Sequence, residues 1–216
     1  MKGARPARIA SYVFLISAAA CVLLPLYVML VTSFKSIDEI RLGNALALPH
    51  IFTVEPWRAA WGRACIGITC LGIRGGLANS LLIAIPSTVL ALAFGALNGY
   101  ALAFWRARGA NLLFGILMIG AFVPLQVMIY PLVRITATLH IFGTLPGIVL
   151  VHVIFSMPLM TLLFRNYYAA LPVELFNAAR IDGAGFLQTF MHVVLPMSPP
   201  IIVVAAIMQV TGVWND

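Results

Sequence analysis

Five stretches of this chain carry no Asp, Glu, Lys or Arg, and each runs for 25 to 33 residues: Ile9 to Phe34, Gly75 to Trp105, Gly109 to Val133, Ile135 to Phe164 and Gly183 to Asn215. A helix needs ~20 apolar residues to cross a hydrocarbon core of ~30 Å. Every run is therefore long enough to span a bilayer. Strands of a membrane barrel would be ~10 residues with alternating character, which these runs lack. The composition agrees: 62% of the 216 residues are apolar and only 9% are charged, against roughly 25% charged in an ordinary soluble domain. The expected fold is an all-α membrane protein, a polytopic helical bundle with apolar cores at about 11–32, 79–103, 112–133, 146–164 and 197–215.

The first run follows Lys2, Arg5 and Arg8 and contains Ala18-Ala19-Ala20-Cys21. A signal peptide would share those features, but the apolar stretch continues through Leu23 to Val31, too long for its central region. It reads as an uncleaved span, with Cys21 expected to pack in a core. Basic flanks favour the cytoplasmic side. The basic N-terminus, and Arg106 and Arg108 two crossings later, place the N-terminus inside. The loop 134–145, with only Arg134 and His140, falls outside, as does segment 33–78. In that segment Cys65 and Cys70 either form a disulfide, favoured by an oxidising compartment and by Gly67 between them, or remain free thiols packed beneath it. Gly95 and Gly99 form a small-xxx-small pair that lets another helix approach closely, most simply one of this chain's own.

Several chemistries are missing from the sequence. No G-x-x-x-x-G-K-[ST] is present, so the chain cannot cradle ATP by a phosphate loop. His50, His140, His152 and His192 are isolated, without metal-ligand spacing, and no G-x-S-x-G appears. The net charge of +7 comes from basic residues scattered between apolar runs, which marks membrane flanks and argues against nucleic-acid binding. Two rival readings are a gradient-driven transporter or channel and a membrane-embedded enzyme. The first usually needs ionisable relays inside the spans, where His152 is the sole candidate. The second needs a nucleophile, base or metal cluster, and none is visible. Polar uncharged residues in or at the edges of the spans, among them Asn79, Gln126, Tyr130, Gln209 and Asn215, can line a path for a neutral hydroxylated solute or bond between helices.

The segment between the last two runs, 165–196, lies inside by this topology. Pro172 suits the first position of a helix and Glu174 its first turn. Gly183 suits a C-terminal cap. A short helix is expected over about 173–182, with Leu175, Ala178, Ala179 and Asp182 on one face. A second short helix is expected over about 185–193.

This segment resembles the E-A-A loop of ABC-importer permeases, a pattern of E-A-A, three residues, G, nine residues and I-x-L-P. Here it reads Asn177-Ala178-Ala179, Gly183 and Val193-Val194-Leu195-Pro196, with every spacing kept. Asn177 stands where the family has Glu, and Glu174 and Asp182 are the acidic residues nearby. The resemblance runs from about Asn79 to Asp216 and is nearest the carbohydrate, maltose-type permeases. It rests on Asn79-Ser80-Leu81, Gly99-Tyr100-Ala101-Leu102, Pro124-Leu125-Gln126-Val127, Tyr130-Pro131-Leu132 and Trp214-Asn215-Asp216. Cys65 to Cys70 and Ile207 to Gly212 are similar to glucose/mannose-type permeases.

The resemblance implies a single permease domain of a binding-protein-dependent sugar importer in the bacterial cytoplasmic membrane. It implies six spans, so that a C-terminal span is expected to be missing here. It also implies a second permease subunit, two ATPase subunits and an extracytoplasmic sugar-binding protein as partners, with sugar as substrate, membrane lipid as solvent and no nucleic acid. ATP would be used by the partner ATPase, with no cofactor or metal on this chain. The ATPase would dock on Glu174, Asn177, Ala178, Ala179, Asp182, Gly183 and Ala184.

Overall fold

The computed structural model describes residues 4–65, 67, 70–104 and 109–216. Lys2, Arg106 and Arg108, which carry part of the orientation argument, lie outside them. Internal packing divides the chain into two compact units, Met1–Leu77 and Ala78–Asp216.

The first unit begins with α1 (Ala4–Thr32). From Arg8 to Thr32 this helix is continuous, and no residue of its most apolar window is buried. Cys21 is exposed, so the expected core thiol is a correction. An apolar run meets lipid as readily as protein. Two short helices follow, α2 (Ile37–Arg41) and α3 (Glu55–Gly62). Ser36 caps α2, its hydroxyl oxygen accepting from the Glu39 N–H at 3.4 Å. Lys35 is buried and its ammonium donates to the Asn44 carbonyl at 2.7 Å, which satisfies part of the cost of desolvating it. Phe34 stacks on Phe52 at 4.5 Å, and Arg63 pairs with Glu55. Cys65 and Cys70 are joined by a disulfide.

The second unit is built on α4 (Arg74–Phe104), α7 (Leu145–Ala169) and α10 (Pro199–Trp214). Gly95 and Gly99 are where α4 meets α7. A Cβ on Gly95 would lie 2.6 Å from Met160 Cβ, and one on Gly99 2.6 Å from Phe164 Cβ. The small-xxx-small pair thus serves contact within the chain. Between these helices come α5 (Ala110–Ala121) and α6 (Leu125–Thr138). Arg165 of α7 lies over the Phe114 ring of α5, 4.2 Å from its centroid, a cation–π contact worth ~0.5–2 kcal/mol depending on exposure.

Three helices among the described residues are single pieces long and apolar enough to cross a membrane: Arg8–Thr32, Arg74–Phe104 and Leu145–Ala169. The expected helix over 112–133 is broken into α5 and α6, which corrects it, whereas the one expected over 197–215 is present as the unbroken α10, with a bend just before it. α5 and α6 bend by 106°, and the segment Phe186–Met197 bends by 78° against α10. Proline explains both breaks. Pro124 has no N–H to give the carbonyl one turn back, and its ring pushes Val123 away from helical geometry. Pro199 and Pro200 similarly favour the start of a new helix over continuation of an old one.

Candidate functional site

The segment after α7 folds as α8 (Val173–Ile181), α9 (Phe186–Thr189), one π-helical turn over Phe190–Val194 and a 3-10 turn over Leu195–Met197. Pro172 stands one position earlier than expected, as the N-cap with φ −58° and ψ 127°. Gly183 ends the helix at φ +77°, in the left-handed region that an L side chain enters at a cost. Gly185 N–H donates to Gln188 Oε1 at 2.9 Å, opening α9. The expected helix over 185–193 is present, but only its first turn, Phe186–Thr189, is α; Phe190–Val194 continues it with π geometry. Pro196 withholds its N–H from the turn before it, and the ladder widens to π geometry there.

Aromatic side chains fix this loop to the helices. Phe176 of α8 packs on Phe104 of α4, centroids 3.9 Å apart. Tyr100 lies 4.4 Å from Phe186 and 5.1 Å from Phe190, and its hydroxyl donates to the Phe186 carbonyl at 3.0 Å. Tyr167 donates to the Met197 carbonyl at 2.7 Å, and Ser198 to the Tyr168 hydroxyl at 3.1 Å. Sequence reasoning missed this footing. Its signal was the pairs Tyr100/Phe104 and Phe186/Phe190, each one helical turn apart, at the ends of the segments they join.

The footing decides which face of α8 is free. Phe176 and Ala179 are buried, at 6% and 7% exposure. Glu174, Asn177, Ala178 and Ile181 are exposed, and their spacing makes one stripe. Ile181 is 86% exposed. The expected face of Leu175, Ala178, Ala179 and Asp182 is therefore corrected: Ala179 belongs to the inner face, and Ala178 to the outer. Asp182, Gly183 and Ala184 line a groove of about 430 Å³ with Gln188 and His192.

The polar residues expected along a solute path lie apart from this loop. Gln209 of α10 is buried at 5% exposure, whereas Asn79, Gln126, Tyr130 and Asn215 are exposed. Among the described residues none of these five hydrogen-bonds another. His152, the one relay candidate expected within the spans, has its Nδ1 3.9 Å from an Asp216 carboxylate oxygen. No cluster of metal-ligating side chains occurs among the described residues.

The sequence model for the binding-protein-dependent transport system inner membrane component matches residues 91–216. The chain is 39% identical over 145 residues to the osmoprotective compounds uptake permease protein GgtD of Synechocystis, which covers 67% of this chain and 49% of that protein. It is 31% identical to the diacetylchitobiose uptake system permease protein NgcG of Streptomyces coelicolor, over 95% of this chain and 66% of that one. It is 30% identical to the glucose import system permease protein GlcU of Saccharolobus solfataricus, over 100% and 75%. The chain thus spans about half the length of the first relative and about two thirds of the second. Its fold superposes with a TM-score of 0.82, at 23% identity, on a chain of a bacterial ABC transporter involved in import of the acidic polysaccharide alginate, covering 100% of this chain and 73% of that one. With the family model matched over more than half of its length, this chain belongs to the binding-protein-dependent transport system inner membrane components.

Proposed function

We propose that this chain is a transmembrane subunit of an ATP-driven importer of a sugar or a similarly hydroxylated neutral solute. The observation that carries the reading is α8: a short helix whose inner face is anchored by aromatic rings and whose outer stripe, Glu174, Asn177, Ala178 and Ile181, is free. Such a helix transmits force in both directions, because movement of its outer face cannot be absorbed by slack at its base. An ATPase subunit docks on that stripe. The names of the relatives, which include uptake proteins for glucose and diacetylchitobiose, support the solute class. So does the scarcity of ionisable side chains in the spans, which leaves a gradient-driven mechanism with His152 as its one candidate relay.

The chain itself does no covalent chemistry in this reading. ATP binding and hydrolysis occur in the partner ATPase pair, a second permease subunit completes the path, and an extracytoplasmic binding protein delivers the solute. Asn79, Gln126, Tyr130, Gln209 and Asn215 are the polar side chains offered to solute hydroxyls. The chain sits in the bacterial cytoplasmic membrane with its N-terminus inside and the α8–α9 loop in the cytoplasm.

The test compares two adjacent alanines in the full-length protein. Ala178→Trp places a ring on the free stripe. It should lower ATPase capture by about tenfold or more, equivalent to 1.4 kcal/mol, with the thermal midpoint of the permease retained. Ala179→Trp points into the loop's own base and should lower that midpoint as well. Unchanged capture and unchanged solute-stimulated ATP hydrolysis with Ala178→Trp would show that α8 is only a connector.

A further inference from the structure

One contiguous buried cluster of the second unit lies toward one end of its helices. Its α4 members are Ala91, Ala96 and Tyr100, and its α7 members Met160, Phe164 and Tyr168. All lie on the C-terminal side of the proline inside each helix, Pro86 in α4 and Pro158 in α7. In that half the two backbones touch through Gly95 and Gly99, and Tyr100 ties α4 to the loop by its bond to the Phe186 carbonyl. On the N-terminal side of each proline Ala84 and Val153 are buried but stand outside this cluster, and exposed apolar side chains occur on both sides, Leu82 and Ile85 before Pro86 and Val89 and Phe94 after it.

A second observation falls on α4 beside its proline. Ser87 and Thr88 are buried at 0% and 7% exposure, and neither hydroxyl has a hydrogen-bond partner among the described residues. A serine or threonine inside a helix ordinarily donates to a carbonyl one turn back, as Ser156 does to His152 at 2.8 Å. Pro86 has no N–H for the Leu82 carbonyl. Two unused donors thus sit directly after a gap in the helix ladder. Membrane helices accommodate proline partly because nearby hydroxyls can bond the carbonyls it frees, and bends in helices concentrate at such gaps.

We propose that α4 bends at Pro86 and α7 at Pro158, and that the parts beyond these prolines move with α8 and α9 as one body during transport. The glycine contact and the aromatic footing make that body stiff. The prolines confine flexing to its edge, and Ser87 and Thr88 supply donors to the carbonyls that bending opens. The inference rests on the importer reading, since it is the docked ATPase that would move α8.

Spin-label distances test it in the full-length protein, assembled with its ATPase in lipid nanodiscs, with Cys21, Cys65 and Cys70 replaced by serine. Labels at Leu97 and Asn166 report within the body; labels at Leu81 and Asn166 report across the hinge. On adding a non-hydrolysable ATP analogue the first distance should stay constant and the second should shift beyond its own spread. Pro86→Ala should lose most of that shift while retaining ATPase capture. Tyr100→Phe, which removes the hydroxyl and with it the bond to the Phe186 carbonyl, should also reduce the shift. Equal shifts for both pairs, no shift across the hinge, or a full shift in Pro86→Ala would overturn the hinge with the importer reading intact. Failure of the unsubstituted protein to capture the ATPase would overturn both.

Discussion

Gly183 and Gly99 must both be glycine, for opposite reasons. Gly183 sits at φ +77° with nothing within 4 Å of where a Cβ would stand. Its constraint is purely conformational, and Gly183→Ala should cost the roughly 1–2 kcal/mol of left-handed backbone. Gly183→Asn should recover much of that, since Asn tolerates this region. A Cβ on Gly99 would stand 2.6 Å from Phe164 Cβ and 2.7 Å from the Arg165 backbone nitrogen. The neighbour there is largely backbone and cannot swing aside, so Gly99→Ala should cost about 1–3 kcal/mol by overpacking, and Gly99→Asn more. Thermal midpoints of the four variants in one detergent check the prediction. Asn better than Ala at Gly183 but worse than Ala at Gly99 is the expected crossover, and the same order at both positions would refute it. The role of Gly183 was legible in the sequence because a cap is a local feature, visible from the acidic and apolar residues before it. Gly99 announced a close approach by its spacing from Gly95 but not its partner, because Met160 and Phe164 are far along the chain.

At the scale of elements, the existence of α8 was readable and its orientation was not. Spacing groups residues into stripes but does not say which stripe faces inward. Two adjacent alanines suit either side. Phe176 decides: it lies 3.9 Å from Phe104, and burying such a ring contributes about 1.5–3 kcal/mol. Phe176→Ala should therefore release α8 from its base, at about 3–5 kcal/mol of local stability, and Phe176→Leu should cost much less. Arg180 on the same helix is exposed. Trypsin added to the cytoplasmic face should cut there faster in Phe176→Ala than in the unsubstituted protein, and equal rates would mean that the ring does not anchor the helix. The broken elements have a related explanation. Hydropathy reports whether a stretch prefers lipid, and Leu112 to Val133 does, but continuity depends on single N–H groups. Pro124 removes one in the middle of the run, so apolar character and unbroken helix part company at that residue.

The whole molecule poses a question of parity. A disulfide persists where the surroundings are oxidising, and an ATPase docks where there is ATP. The importer reading proposed above therefore requires an odd number of crossings between Cys65–Cys70 and α8. α4 and α7 are each long and apolar enough to cross once. On that reading the bent pair α5–α6, with its 106° angle, supplies the third crossing. Were the pair to turn back to the side it left, α8 would face the same compartment as the disulfide, and the docking reading would fail on geometry alone. Single cysteines introduced at Leu48, Gly109, Gly143 and Asn177, in a Cys21→Ser background that keeps the disulfide, measure the parity directly. An impermeant thiol reagent applied to intact cells should modify Leu48→Cys and Gly143→Cys but spare Gly109→Cys and Asn177→Cys until the membrane is permeabilised. Protection of Gly143→Cys together with labelling of Asn177→Cys would show that α5 and α6 re-enter. The importer assignment would then have to place its ATPase elsewhere on the chain, and the exposed stripe of α8 would face the solute-binding side.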